Sequence, residues 1–160
     1  PMPTQPRYMC RTFCLKTLAS AALLWLTVAS PASAETMASL LTHCPASPNC
    51  VCSLDSSAQH RIAPLTPTGS LNEAWRGLAD YLVRQKRTKI VTQNDHYIAA
   101  EVRTRLLRFV DDVEFELDQA EGVIAMRSAS RLGFSDLGTN RRRLERLRSA
   151  LVEAGLVLPR

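Results

Sequence analysis

Acidic residues are missing from the first 34 positions of this 160-residue chain, although 15 occur in the remainder. Of its 20 basic residues only Arg7, Arg11 and Lys16 precede residue 35, so the later part carries a net charge of just +2. A polyelectrolyte partner such as DNA or RNA calls for a clear basic excess interleaved with aromatics, and aromatics make up only 6% of the chain. No nucleic-acid partner is therefore expected. Catalytic fingerprints are equally scarce. No G-x-S-x-G, H-E-x-x-H, P-loop or dinucleotide-binding pattern occurs, and neither does C-x-x-C or the haem-attachment motif, so no cofactor is expected. After residue 34 no stretch stays apolar for the roughly 18 residues that a membrane helix needs. No internal repeat is visible.

What the first 34 residues do contain is ordered. Arg11 and Lys16 precede an apolar run from Leu18 to Ala29, followed by Ser30-Pro31 and the small residues Ala32-Ser33-Ala34. Charge, short apolar core and A-x-A ending describe a secretory signal peptide over 1–34, cleaved after Ala34. Met9 would give it a conventional short basic start. The expected destination is export to a periplasmic or extracellular compartment, with no membrane span left after cleavage.

Export makes the later cysteines interpretable, because oxidising compartments favour disulfides. Cys44 and Cys50 bracket Pro45-Ala46-Ser47-Pro48-Asn49, a turn-rich stretch that closes a short loop and leaves Cys52 unpaired. The sharper alternative gathers His43, Cys44, Cys50, Cys52 and His60 around zinc or copper. Their spacing matches no metal-binding pattern, so the disulfide is preferred and no metal is assigned.

Residues 35–69 are rich in Ser, Pro and Thr and read as an irregular cysteine-containing arm, with a short strand around Arg61 to Leu65 as an option. An α+β domain over 70–160 follows. Ser70 and Glu73 form a capping-box pattern, and Leu71, Ala74, Trp75, Leu78, Ala79, Leu82 and Val83 recur on one helical face to about Gln85. The period then changes to 2. Strands are expected at Lys89 to Gln93, Tyr97 to Arg103, Asp112 to Asp118 and Val123 to Ser130, joined by short turns that imply antiparallel pairing. A second helix from about Asn140 to Ala154 carries Leu144, Leu147, Leu151 and Ala154 on one stripe, and Gly155 ends it. The expected fold is an antiparallel sheet of four to five strands with two helices packed on one face.

Three stretches carry a family resemblance: Cys44-Pro45-Ala46-Ser47-Pro48-Asn49-Cys50-Val51, then Phe109-Val110-Asp111-Asp112-Val113-Glu114-Phe115, then the long block from Arg127 to Arg141 that contains Gly133-Phe134-Ser135-Asp136-Leu137-Gly138-Thr139-Asn140. Together they resemble the domain of unknown function 1499 family from about Leu40 to Leu151. The family pattern has Ser where Cys52 stands here. No activity and no catalytic residues come with the resemblance.

Alternation places Glu101, Arg103, Asp112, Glu114, Glu116, Asp118 and Arg127 on one sheet face, with Arg131 at its edge. Cross-strand pairing on a solvated face accounts for this, and a sheet curved around a polar ligand is the alternative. Arg141, Arg142 and Arg143 sit in the first turn of the second helix, where cations oppose the helix dipole at about 0.3–1 kcal/mol each. Either Asp136 and the acidic strand offset them, or an external anion does. Arg127, Arg131, Asp136, Asn140, Arg141, Glu101, Asp112 and Glu114 are accordingly the candidate ligand-binding residues. His96, Glu101, Glu114 and Asp136 are the only candidates for acid–base chemistry. The reading that follows is a small exported binding or accessory module of the cell envelope, taking a small anionic or polar ligand or an envelope protein. A hydrolase using paired carboxylates and a structural or protein-interaction domain are the alternatives.

Overall fold

A computed structural model describes residues 39–105 and 108–160. The signal segment over 1–34 and its cleavage after Ala34 lie outside the described residues.

Along β4 (Val110–Asp118) buried and half-buried positions alternate through all nine residues, so Asp111, Val113, Phe115 and Leu117 face one way. Antiparallel register extends that face across neighbours: β3 (Tyr97–Arg103) sets Ile98 opposite Phe115, and β5 (Val123–Ser130) sets Met126 opposite it on the other side. β2 (Thr88–Gln93) pairs with β3 and β1 (Cys50–Cys52) with β5, giving the order β1-β5-β4-β3-β2, antiparallel throughout. The edge strand β2 is blunted by Lys89 and a register shift between Ile90 and Thr92.

Both helices cover the apolar face. α1 (Leu71–Arg84) contributes Ala74, Trp75, Leu78 and Leu82 to the core, and α2 (Thr139–Glu153) contributes Leu144, Leu147 and Leu151. Each large apolar side chain buried in this layer contributes about 1.5–3 kcal/mol. Gly77 lets the chain end close over α1, since a Cβ there would stand 2.2 Å from Leu156 Cδ1. The architecture is the α+β fold expected, with two helices on one face of a five-stranded sheet.

Four details differ from expectation. The fifth strand is β1, formed within the cysteine arm, whereas Arg61 and Leu65 make only isolated bridges to Cys52 and Ile124. A three-residue strand is too short to announce itself by periodicity. Ser70 does cap α1, but through its carbonyl, which accepts from the Glu73 and Ala74 N–H groups, and its side chain makes no capping bond. Val83 is 71% exposed, because it lies on the side of α1 turned away from the buried stripe of Ala74, Trp75, Leu78 and Leu82. Ala154 is exposed as well, being the C-cap residue before Gly155 turns into the left-handed region at φ 71°. No helix among the described residues is long and apolar enough to cross a membrane.

The antiparallel order also sorts the connections between two ends of the sheet. The α1–β2, β3–β4 and β5–α2 connections emerge at one end and carry Lys86, Arg87, Arg105, Arg108 and Arg131, with Asp136 as their one acid. The β2–β3 and β4–β5 turns emerge at the other and carry Asp95 and Glu121 with no Lys or Arg.

Candidate functional site

The sheet face opposite the core gathers its charges into two clusters, while Arg103 and Asp118 make no ion pair among the described residues. Arg127 on β5 lies across from Glu114 on β4 and donates to its Oε2, while the Tyr97 hydroxyl donates to Glu114 Oε1 at 2.6 Å. Burial, then the bond to Glu114, push the Tyr97 phenol well above its ordinary range. Arg127 Nε is buried without a partner among the described residues. Just beyond β5, Arg131 forks onto Asp112, with Nε 2.9 Å from Oδ2 and Nη2 2.7 Å from Oδ1, and Nη2 also reaches Glu101 Oε1 at 2.8 Å. These bonds, to Asp112 foremost and then Glu101, raise the Arg131 pKa above its usual value. One guanidinium thus bridges two neighbouring carboxylates and compensates one of their two charges.

The arm closes over part of this face. Glu116 accepts from the Leu40 N–H at 2.9 Å, from the Leu41 N–H at 3.3 Å and from the Ser39 hydroxyl, and Leu41 is buried. Cys50 and Cys52, opposite Ala129 and Arg127, are buried on the same side.

At the start of α2 the Thr139, Asn140 and Arg142 N–H groups are already taken. Gly138, left-handed at φ 75°, is the N-cap, and Asp136 accepts from the Gly138 N–H at 3.0 Å and the Asn140 N–H at 2.6 Å. A carboxylate in this place offsets the dipole that the arginines oppose. The three arginines then diverge. Arg141 donates to the carbonyls of Arg61 and Gln59 at 2.8 and 3.0 Å, stapling the arm to the helix. Arg142 turns back to the Leu137 carbonyl at 2.7 Å. Arg143 enters the core side of the sheet and pairs with Asp111, whose side chain is 2% exposed. Asn140 is buried beside that pair: its Oδ1 accepts from the Ser128 hydroxyl and Arg143, and its Nδ2 donates to the Asn49 carbonyl at 2.9 Å and Ser130 Oγ at 3.0 Å.

The candidate residues therefore separate into Glu101, Asp112 and Arg131; Glu114 and Arg127; Asp136 and Asn140; and Arg141 alone. The acid–base candidates do not converge, since His96 lies in the β2–β3 turn at the opposite end from Asp136.

A cleft of about 350 Å³ opens at the basic end, between the C-terminus of α1, the start of β2, the end of β3 and α2. Lys86, Arg87, Arg143 and Arg146 line it together with Tyr81 and Thr88, and no carboxylate side chain does so among the described residues. Burial raises the Tyr81 pKa, and nearby Arg146 offsets part of that rise. Lys86, Arg87 and Arg146 are exposed and lie in no ion pair among the described residues. Periodicity did not point to these residues. The adjacent Lys86-Arg87 after α1, and Arg146 one turn beyond Arg143, were the signals available. A larger groove of about 450 Å³ between the helices mixes Glu73 and Asp80 with Arg76 and Arg84.

The cysteines resolve in favour of the disulfide: Cys44 and Cys50 are bonded, with Cα atoms 5.6 Å apart. His43 turns to Asp55 at 2.9 Å and the His60 ring to the Cys50 carbonyl at 3.0 Å. No group of three or more His, Cys, Asp or Glu side chains arranged to hold a metal ion occurs among the described residues. Cys52 is a buried free thiol whose pKa burial raises. Asp55 fixes the arm by accepting from the Cys44 N–H at 2.9 Å. Burial works to raise its pKa, yet the bonds from Cys44 and His43 outweigh that and hold it below the ordinary value.

A family model described as a protein of unknown function (DUF1499) matches residues 40–151, and the chain belongs to that family. No curated protein and no solved structure matched the chain.

Proposed function

We propose that this family member is an exported binding module of the cell envelope that takes a small anionic ligand at the basic end of its sheet. The observation that carries the reading is the cleft of about 350 Å³ in which Lys86, Arg87 and Arg146 make no ion pair among the described residues and no carboxylate side chain joins the lining, Arg143 being committed to Asp111. Guanidinium and ammonium groups held around one concavity suit phosphate or carboxylate, and Tyr81 and Thr88 add hydroxyls that fix orientation. The site expected from sequence lies elsewhere. Its arginines point to Glu114, Asp112, Glu101 and backbone carbonyls, so an anion there would have to displace partners already in place. Export is supported by the apolar run and small-residue ending before Glu35 and by a disulfide in the arm.

Thermal melts with inorganic phosphate, sulfate and citrate test the reading. A ligand at one hundred times its Kd stabilises the fold by about 2.7 kcal/mol, a rise of several degrees in a domain of this size. The rise is expected in the native protein and lost in Lys86→Glu and Arg146→Glu. If none of the three anions shifts the melt, and native mass spectrometry of protein recovered from its own compartment finds no bound anion, the proposal fails.

A further inference from the structure

The connection between β5 and α2 displays apolar side chains that the fold makes no use of. Leu132, Phe134 and Leu137 are 65%, 76% and 83% exposed, and Phe109 in the neighbouring β3–β4 connection is 43% exposed. The two connections adjoin, since the Arg131 N–H bonds to the Val110 carbonyl. This display is not slack chain. The Gly133 carbonyl is held by Asn49 Nδ2 at 2.6 Å, the Leu137 N–H by Ser135 Oγ at 3.3 Å and the Leu137 carbonyl by Arg142 at 2.7 Å, while Asp136 anchors the turn into α2. Leu137 is kept in the left-handed region at φ 52°, a conformation that leucine adopts only when its surroundings impose it. A loop fastened along its backbone with its large apolar groups turned outward has the form of a contact surface.

The charge around it indicates the partner. Arg105 and Arg108 are exposed in the same connection as Phe109, and Arg142 is exposed beside Leu137. Among the described residues none of the three is paired with a carboxylate. The nearby acids are already bonded: Asp136 to the helix N–H groups, Glu101 and Asp112 to Arg131. Apolar tips that enter the acyl boundary, ringed by arginines at the depth of lipid phosphates, match the chemistry of an anionic bilayer surface.

We propose that the Leu132 to Leu137 loop, with Phe109 beside it, docks this end of the protein on an anionic lipid surface. This goes beyond ligand binding in the cleft and does not depend on it, since the two use different side chains.

The test places a reporter in the loop itself, and comparison with the parent removes the signal of Trp25 and Trp75. Phe134→Trp is mixed with vesicles of equimolar phosphatidylcholine and phosphatidylglycerol, and its fluorescence is compared with that of the parent protein. A blue shift, with quenching by brominated acyl chains, is expected on these vesicles and not on pure phosphatidylcholine. Reversing Arg105 and Arg108 to Glu together should weaken the effect by at least about tenfold, at an unchanged melting temperature. An unshifted spectrum on anionic vesicles overturns the proposal, as does an equal shift on neutral ones. A shift that grows with protein concentration in the absence of lipid also overturns it, and assigns the loop to a second copy of the chain.

Discussion

The two ends of the sheet are built from the same strands and differ in almost everything else. At the acidic end, Asp95 and Glu121 sit in short exposed turns; the Glu121 N–H bonds to the Asp118 carboxylate, and Asn94 caps its own turn by accepting from the His96 and Tyr97 N–H groups. At the basic end a buried polar network of Asp111, Arg143, Asn140 and Ser128 joins β4, β5 and α2, and the Asn140 side chain ties in the arm at Asn49. One end closes hairpins locally. The other binds four parts of the chain together and then leaves cations and apolar side chains facing outward. The surfaces proposed for an anion and for a lipid both lie at this end, backed by the buried network.

The sharpest way to break this contrast is to remove the buried carboxylate. Asp111→Ala leaves the Arg143 guanidinium without its partner and should cost about 3–5 kcal/mol in urea unfolding, whereas Glu121→Ala at the other end should stay within about 0.5 kcal/mol. Similar costs at both ends would remove the distinction.

Next in size is the disulfide, which fastens the arm near the basic end, where Cys50 lies opposite Ala129. It closes a loop with a sequence separation of 6, so replacing Cys44 and Cys50 by Ala should cost about 2 kcal/mol by the chain-entropy account. A loss much above that would mean that the arm also carries packing that depends on the bridge.

Asp55 holds the same arm through bonds to Cys44 and His43, and its effect depends on pH. Its pKa is depressed below the ordinary 3.8 in the folded state. The stabilisation is therefore fully present above that unfolded value and is lost as pH falls through the lower folded one. Asp55→Asn should cost about 1.5 kcal/mol at neutral pH, and the gap between variant and parent should close on acidification. A gap that stays constant down to low pH would assign the cost to packing.

The smallest effect is expected on the open face. Arg131 joins Glu101 and Asp112, but its side chain is 47% exposed, so Arg131→Met should lower the urea midpoint least of these changes, and by less still in high salt. A larger, salt-insensitive loss would make this cluster part of the scaffold.

Much of the fold is legible in the sequence because its signals are local. The stripe from Ala74 to Leu82 and the alternation of Val113, Phe115 and Leu117 set helix and strand by period. Short turns set antiparallel neighbours, and antiparallel order alone assigns every connection to one end or the other. Asp111 lies just outside the strand expected from Asp112; because β4 begins at Val110, the same alternation carries Asp111 to the core side, where a charge demands a partner. The cysteine pair was legible because a seven-residue span can close on itself, and the family resemblance because its blocks are contiguous.

What the tertiary structure decided is which distant groups meet. Asn140 finds Asn49 across a separation of 91 positions and Arg143 finds Asp111 across 32, and both depend on how α2 crosses the sheet. That crossing turns three adjacent arginines in three directions: to the arm, to the preceding loop and into the core. It also brings Arg146 toward Lys86 and Arg87 to form the cleft, although no pattern in the chain links them. Periodicity fixes which face a residue occupies, because that is a property of one element. The side chain's partner depends on register, crossing and burial, which exist only once the elements have packed.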